Sequence, residues 1–184
     1  MIEETNAETR KEYEEIKARI SDNTAKAQDY VSIIDYSDLV NEKISEDQKQ
    51  DYLRKAYSAA QSELLSSSDD ERESAYLTLA QYYDKLKDYP NALKNYDNAV
   101  KLNSGNIVLR ARFRALSMND KKGAKKDYEL AKSMGLSEQE LKLFDLLVND
   151  AGAIREKTQV FLIYFYILLF IIAIGVYVYI KYFL

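Results

Sequence analysis

From Val160 to Ile180 the chain runs for 21 residues without a charged or amide side chain. At about 1.5 Å of rise per helical residue such a run reaches roughly 30 Å, the thickness of the hydrocarbon layer of a bilayer. Globular helices rarely stay apolar on every face for this length, so the run predicts a transmembrane helix over 159–184, entered through a linker at 151–158. Tyr164 and Tyr166 near one end, and Tyr177, Tyr179 and Tyr182 near the other, suit the two headgroup levels, and Lys181 can snorkel outward. Arg155 and Lys157 precede the span, which predicts a cytoplasmic N-terminal domain by the positive-inside rule. The opening Met1-Ile2-Glu3-Glu4 is acidic and begins no apolar stretch, unlike an export signal.

Five glycines and one proline punctuate the 184 residues, too few for a fold of short strands and turns. The fold class expected is all-α. Cysteine and histidine are absent, which removes thiolate nucleophiles, disulfides, Cys/His zinc sites and imidazole bases. No glycine-rich phosphate loop is present either, and carboxylate pairs such as Asp84 with Asp88 or Asp69 with Asp70 have the ordinary spacing of helix surfaces and caps. The expectation is a protein that is not an enzyme, with no cofactor, metal or small-molecule substrate. Charge is unevenly distributed: residues 1–70 hold 17 acids against 9 bases, and residues 107–136 hold 8 bases against 3 acids. With a net charge of −4 the chain lacks the strongly basic domain of a nucleic-acid binder.

Between Glu73 and Asn106 the chain reads ESAYLTLAQYYDKLKDYPNALKNYDNAVKLNSGN. Small residues at Ala80, Ala92 and Ala99 allow two helix backbones to approach, while Tyr76, Tyr83 and Tyr96 fill the flanking spaces. This pattern resembles the tetratricopeptide repeat, a helix-turn-helix unit of about 34 residues. Tyr76 stands at the family's Trp position, Leu79 and Ala80 at Leu-Gly, Tyr83 at Tyr, and Ala92, Tyr96 and Ala99 at the small and aromatic positions of the second helix. Ser104 replaces the terminal Pro, and Gly105 offers an alternative helix stop. A second unit, 107–136, repeats the spacing at Ala124, Tyr128 and Ala131 with a slip of two residues, which predicts a shortened turn before Lys121. Asp120 is its candidate N-cap and Gly135 its left-handed closing residue.

Around these units lie a degenerate helix at about 46–65, opened by a Ser45/Gln48 capping box, and a second box at Ser68/Glu71. A further box at Ser137/Glu140 precedes a capping helix, 137–150, carrying Leu141, Phe144 and Val148. The helical domain thus spans 45–150. The arm before it, 1–44, carries Tyr13, Ile16, Ile20, Asn23, Ala27, Tyr30 and Ile34 at intervals of three and four, the stripe of one long helix. Packing on the chain's own repeats is the simpler use of that stripe, and self-pairing as a coiled coil is the other. The resemblance therefore implies antiparallel helix pairs in a right-handed α-solenoid, to which the stripe adds a long N-terminal helix and the uncharged run one C-terminal transmembrane helix.

It also implies a concave groove for a protein partner, lined by Ser74, Leu77 and Gln81 from one helix and by Asn106, Leu109, Arg110 and Phe113 from the next. The arm itself is a second candidate occupant of that groove. Some members clamp acidic chaperone tails with Lys, Asn and Arg; only Arg110 fits that set here, which argues against such a clamp. Arg112, Arg114, Lys121, Lys122, Lys125 and Lys126 form a basic stretch suited to anionic lipid or an acidic partner. The function expected is a tail-anchored adaptor that mediates protein-protein interaction at the cytosolic face of a membrane. The alternative is an accessory subunit of a larger membrane complex.

Overall fold

A computed structural model describes residues 2–135. The residues expected as membrane anchors, Arg155, Lys157, Tyr164, Tyr166, Tyr177, Tyr179, Lys181 and Tyr182, and the segment 137–150 expected as a capping helix, lie outside the described residues. The described part is all-helical: α1 Ile2–Ser21, α2 Ala27–Leu39, α3 Glu46–Glu63, α4 Asp69–Lys85, α5 Tyr89–Leu102, α6 Ile107–Leu116 and α7 Lys121–Ser133. A single 3₁₀ turn, Ser104–Asn106, joins α5 to α6. None of these helices is long and apolar enough to cross a membrane.

The long N-terminal helix expected from the stripe is two helices. Asn23 adopts φ +56°, a left-handed conformation that Asn tolerates better than most residues, and the chain reverses there. The period of three and four persists across the break because α1 and α2 each turn an apolar face to the same core. Tyr13 and Ile16 from α1 meet Ile33 and Ile34 from α2 and Leu53 from α3. Arg19 and Asp29 tie the two helices across the turn at 2.7 Å. The start of α2 is fixed by acceptors: Lys26 N–H donates to the Asp29 carboxylate at 2.9 Å, and Ala27 N–H donates to Glu63 Oε1 at 3.1 Å. Both anions also complement the positive end of the helix dipole.

Helices α3, α4 and α7 start at the caps that the sequence places, Ser45, Ser68 and Asp120, whereas α6 begins without a side-chain cap. Ser45 and Gln48 form the reciprocal box of α3. Asp88 caps α5, with Pro90 in the first turn where no intrahelical donor is lost, and Asp120 caps α7 through the Gly123 N–H. The Ser68 box is half formed: Ser68 Oγ accepts from Glu71 N–H, whereas the Ser68 N–H goes to Ser66 Oγ. Gly135 closes α7 at φ +78° as expected.

Two local expectations are corrected. Helix α5 stops at Asn103, which turns extended at φ −139° and whose side chain accepts the Gly105 N–H, so Gly105 is not the left-handed stop. The two-residue slip of the second unit does not shorten the turn before Lys121. That turn, 117–120, is one residue longer than 86–88, and the slip arises because α6 is only 10 residues long.

Packing is sequential, each helix against the next, with α2 also meeting α4. Alanine sets the close approaches. Ala27, Ala60 and Ala75 form one cluster with Leu79; Ala80 and Ala92 form another with Tyr96 and Phe113; Ile107, Ala111 and Ala131 form a third. All seven alanines are fully buried, so a larger side chain at any of them must push two helices apart.

Candidate functional site

Helices α2, α4 and α6 bound a surface channel. Its first part, a cleft of about 490 Å³, is lined by Gln28 of α2, Leu109 of α6, and Asp70, Glu73, Ser74, Leu77 and Gln81 of α4. Its second part, about 510 Å³, lies toward the other ends of these helices, where Asp38 and Leu39 of α2 face Leu109, Arg112 and Leu116 of α6 across Asp84 of α4. Gln81 and Leu109 line both parts, so the two are continuous.

Four of the groove residues expected from sequence, Ser74, Leu77, Gln81 and Leu109, line this channel. Three have other duties. Asn106 is buried and donates to Glu73 Oε1 at 2.8 Å and to the Ala99 carbonyl at 3.3 Å, closing the α5–α6 junction. Phe113 is 3% exposed and packs against Ala80, Ala92 and Tyr96, so it forms the channel's base from within the core. Arg110 makes a forked pair with Asp127 of α7, Nη2 to Oδ1 at 2.7 Å and Nε to Oδ2 at 3.1 Å, and a second pair with Asp97 of α5 at 2.7 Å. Burial disfavours its charge, but those carboxylates outweigh the penalty and hold its pKa above the ordinary arginine value. An arginine so engaged is not available to a ligand carboxylate.

The basic stretch divides in the same way. Arg114 turns inward onto Asp127 at 3.0 Å and the Gly123 carbonyl at 3.3 Å, while Arg112 is exposed at the rim of the second cleft. Lys121, Lys122, Lys125 and Lys126 are exposed on α7.

The α2 wall of the channel was not foreseen. Gln28 accepts from the Thr78 hydroxyl at 3.0 Å and donates to Gln81 Oε1 at 2.8 Å, locking α2 against α4. The arm therefore forms one side of the channel without filling it. Leu39, 66% exposed, and Leu116, 40% exposed, face the open space. The available signal was an apolar residue at the end of each helix, out of phase with the buried stripe. Asp84 accepts from the Ser117 hydroxyl at 3.0 Å. Desolvation raises its pKa above the usual carboxylate value, against the opposing pull of Ser117 and Lys85. Lys85 itself pairs with Asp35 of α2 at 2.5 Å, a second tie between the same helices.

The channel presents leucines on two walls, amides between them and carboxylates at the margins. No group of three or more metal-ligating side chains forms among the described residues. No family model, curated protein or solved structure matches the chain.

Proposed function

We propose that this chain is a membrane-tethered interaction module, in which the pairs α2–α3, α4–α5 and α6–α7 stack as tetratricopeptide-like units and the apolar run Val160–Ile180 holds them at a bilayer. The observation that carries the reading is the channel between α2, α4 and α6, where Leu39, Leu77, Leu109 and Leu116 remain accessible over an otherwise closed core. Accessible leucines over a rigid floor suit an amphipathic helix or an extended apolar segment of a protein partner. Burial of Ala80, Ala92 and Ala99 supports the repeat resemblance, because these are the small positions that the pattern requires. The orientation that follows puts the helical domain in the cytosol.

A photocrosslinking amino acid at Leu109 or Leu116, used in native membranes, tests the proposal. The expected product is a discrete protein adduct that disappears when the other leucine is changed to Asp, with the melting temperature unchanged. Equal crosslinking from Lys94, an exposed residue of α5, refutes the channel as the site. The alternative, a permanent accessory subunit, draws on exposed Leu65, Leu86 and Leu130, which lie outside the channel lining. Loss of the protein whenever its complex is absent favours that alternative, and a dissociable partner favours the adaptor.

A further inference from the structure

We infer that the outer face of α7 lies on anionic lipid headgroups and sets the orientation of the helical domain on its membrane. The inference rests for its geometry on the tethered reading above. Helix α7 buries Ala124, Asp127 and Ala131 and turns Lys122, Lys125, Lys126 and Lys132 outward. At 100° per residue these four lysines fall within one arc, interrupted only by Glu129 among charged residues, with Leu130 at its edge. None of the four has an ion-pair partner among the described residues.

The inward arginines sharpen the pattern. Arg110 and Arg114 are held by Asp127, and Arg110 also by Asp97, which leaves the α7 lysines, with Arg112 of α6, as the outward positive charge of this end of the domain. Residues 1–70 carry a net −8, so the opposite end is repelled by an anionic surface that attracts α7. Such an asymmetry orients the body as well as binding it. Reach is sufficient: residues 136–159 separate α7 from the apolar run, and a chain of that length can extend up to roughly 80 Å. Lysine suits this contact better than a bidentate arginine fork, because headgroup attraction is a point-charge effect that needs no fixed geometry.

The test uses the full chain with vesicles of neutral phosphatidylcholine, or of phosphatidylcholine with 30% phosphatidylserine, labelled briefly with an amine-reactive reagent. Flotation reports attachment, and mass spectrometry reports each lysine. If both readings hold, the chain floats with both vesicle types. Lys122, Lys125, Lys126 and Lys132 are then labelled about five-fold more slowly on the anionic ones, recovering near 1 M salt, while Lys11 and Lys43 do not change. Flotation with both types and equal labelling overturns the α7 inference and leaves the tether standing; such a face would then belong to an acidic protein. Flotation with anionic vesicles alone, with the α7 lysines protected, overturns the tether and supports the α7 inference. Flotation with neither overturns both.

Discussion

The charge network between α5, α6 and α7 offers a sharp test of what holds the second helix pair in place. Asp127 has a side chain only 3% exposed and serves Arg110 and Arg114, which are 13% and 19% exposed. Changing Asp127 to Asn preserves shape and one acceptor but removes the one carboxylate that both guanidiniums share among the described residues. Breaking a buried pair by deleting one partner costs about 3–5 kcal/mol, because the remaining charge stays desolvated. Asp97 continues to compensate Arg110 and the Gly123 carbonyl continues to accept from Arg114, which places the expected loss near the lower limit, about 3 kcal/mol. For a domain of this size that corresponds to a fall in Tm of roughly 10 °C. The assay is thermal unfolding of the full chain in detergent micelles, followed by circular dichroism at 222 nm. A companion variant, Arg110→Met with Arg114→Met and Asp127→Leu, replaces the network by apolar side chains and should recover most of the loss, since a buried ion pair gains little over a packed apolar core. It also removes Arg114 Nε, a buried donor without a partner among the described residues. A Tm within about 2 °C of the parent for Asp127→Asn, or a triple variant no more stable than that single one, would show that the network is not what closes α6 onto α7.

Other perturbations separate other parts of the account. Ala92→Leu inserts bulk where α4 and α5 touch and should cost about 1–3 kcal/mol in chemical denaturation; an unchanged midpoint would refute the close approach. Lys87 occupies φ +59° in the α4–α5 turn, so Lys87→Gly should stabilise by up to about 1 kcal/mol, and a loss would show that its side chain makes an unrecognised contact. The raised pKa of Asp84 means that the folded state binds its proton more tightly than the unfolded state does. Its contribution is therefore favourable below the unfolded pKa and is lost as pH rises through the folded value. Asp84→Asn should accordingly melt higher than the parent at pH 7, with the gap closing in acid; a gap independent of pH would remove burial as the cause. Removing α1 should unfold the α1–α3 core, because Tyr13 and Ile16 are buried in it; a truncated chain with unchanged melting would show that the arm is dispensable.

Local chemistry was legible wherever the sequence decides structure by itself. The Ser45 and Asp120 caps and the Gly135 terminus follow from which side chains can satisfy orphan backbone groups, and alanine spacing announces the close helix contacts. Break positions were less legible. A stripe at intervals of three and four survives a reversal when both helices face one core, so Asn23 read as a stripe position and proved to be the turn.

The sequence alone determined the helical class, the caps and the uncharged run that the tether proposal rests on, because composition, period and length are properties of neighbours along the chain. Tertiary structure decided which charges are free. Along the sequence Arg110, Arg114, Lys122 and Lys126 are four positive charges of one basic stretch, and only the approach of α5 and α7 to α6 turns the arginines into core ties and leaves the lysines outside. The channel is likewise a product of separation: Gln28 and Leu39 lie far in sequence from Leu109 and Leu116, and no local rule brings them to face each other across α4.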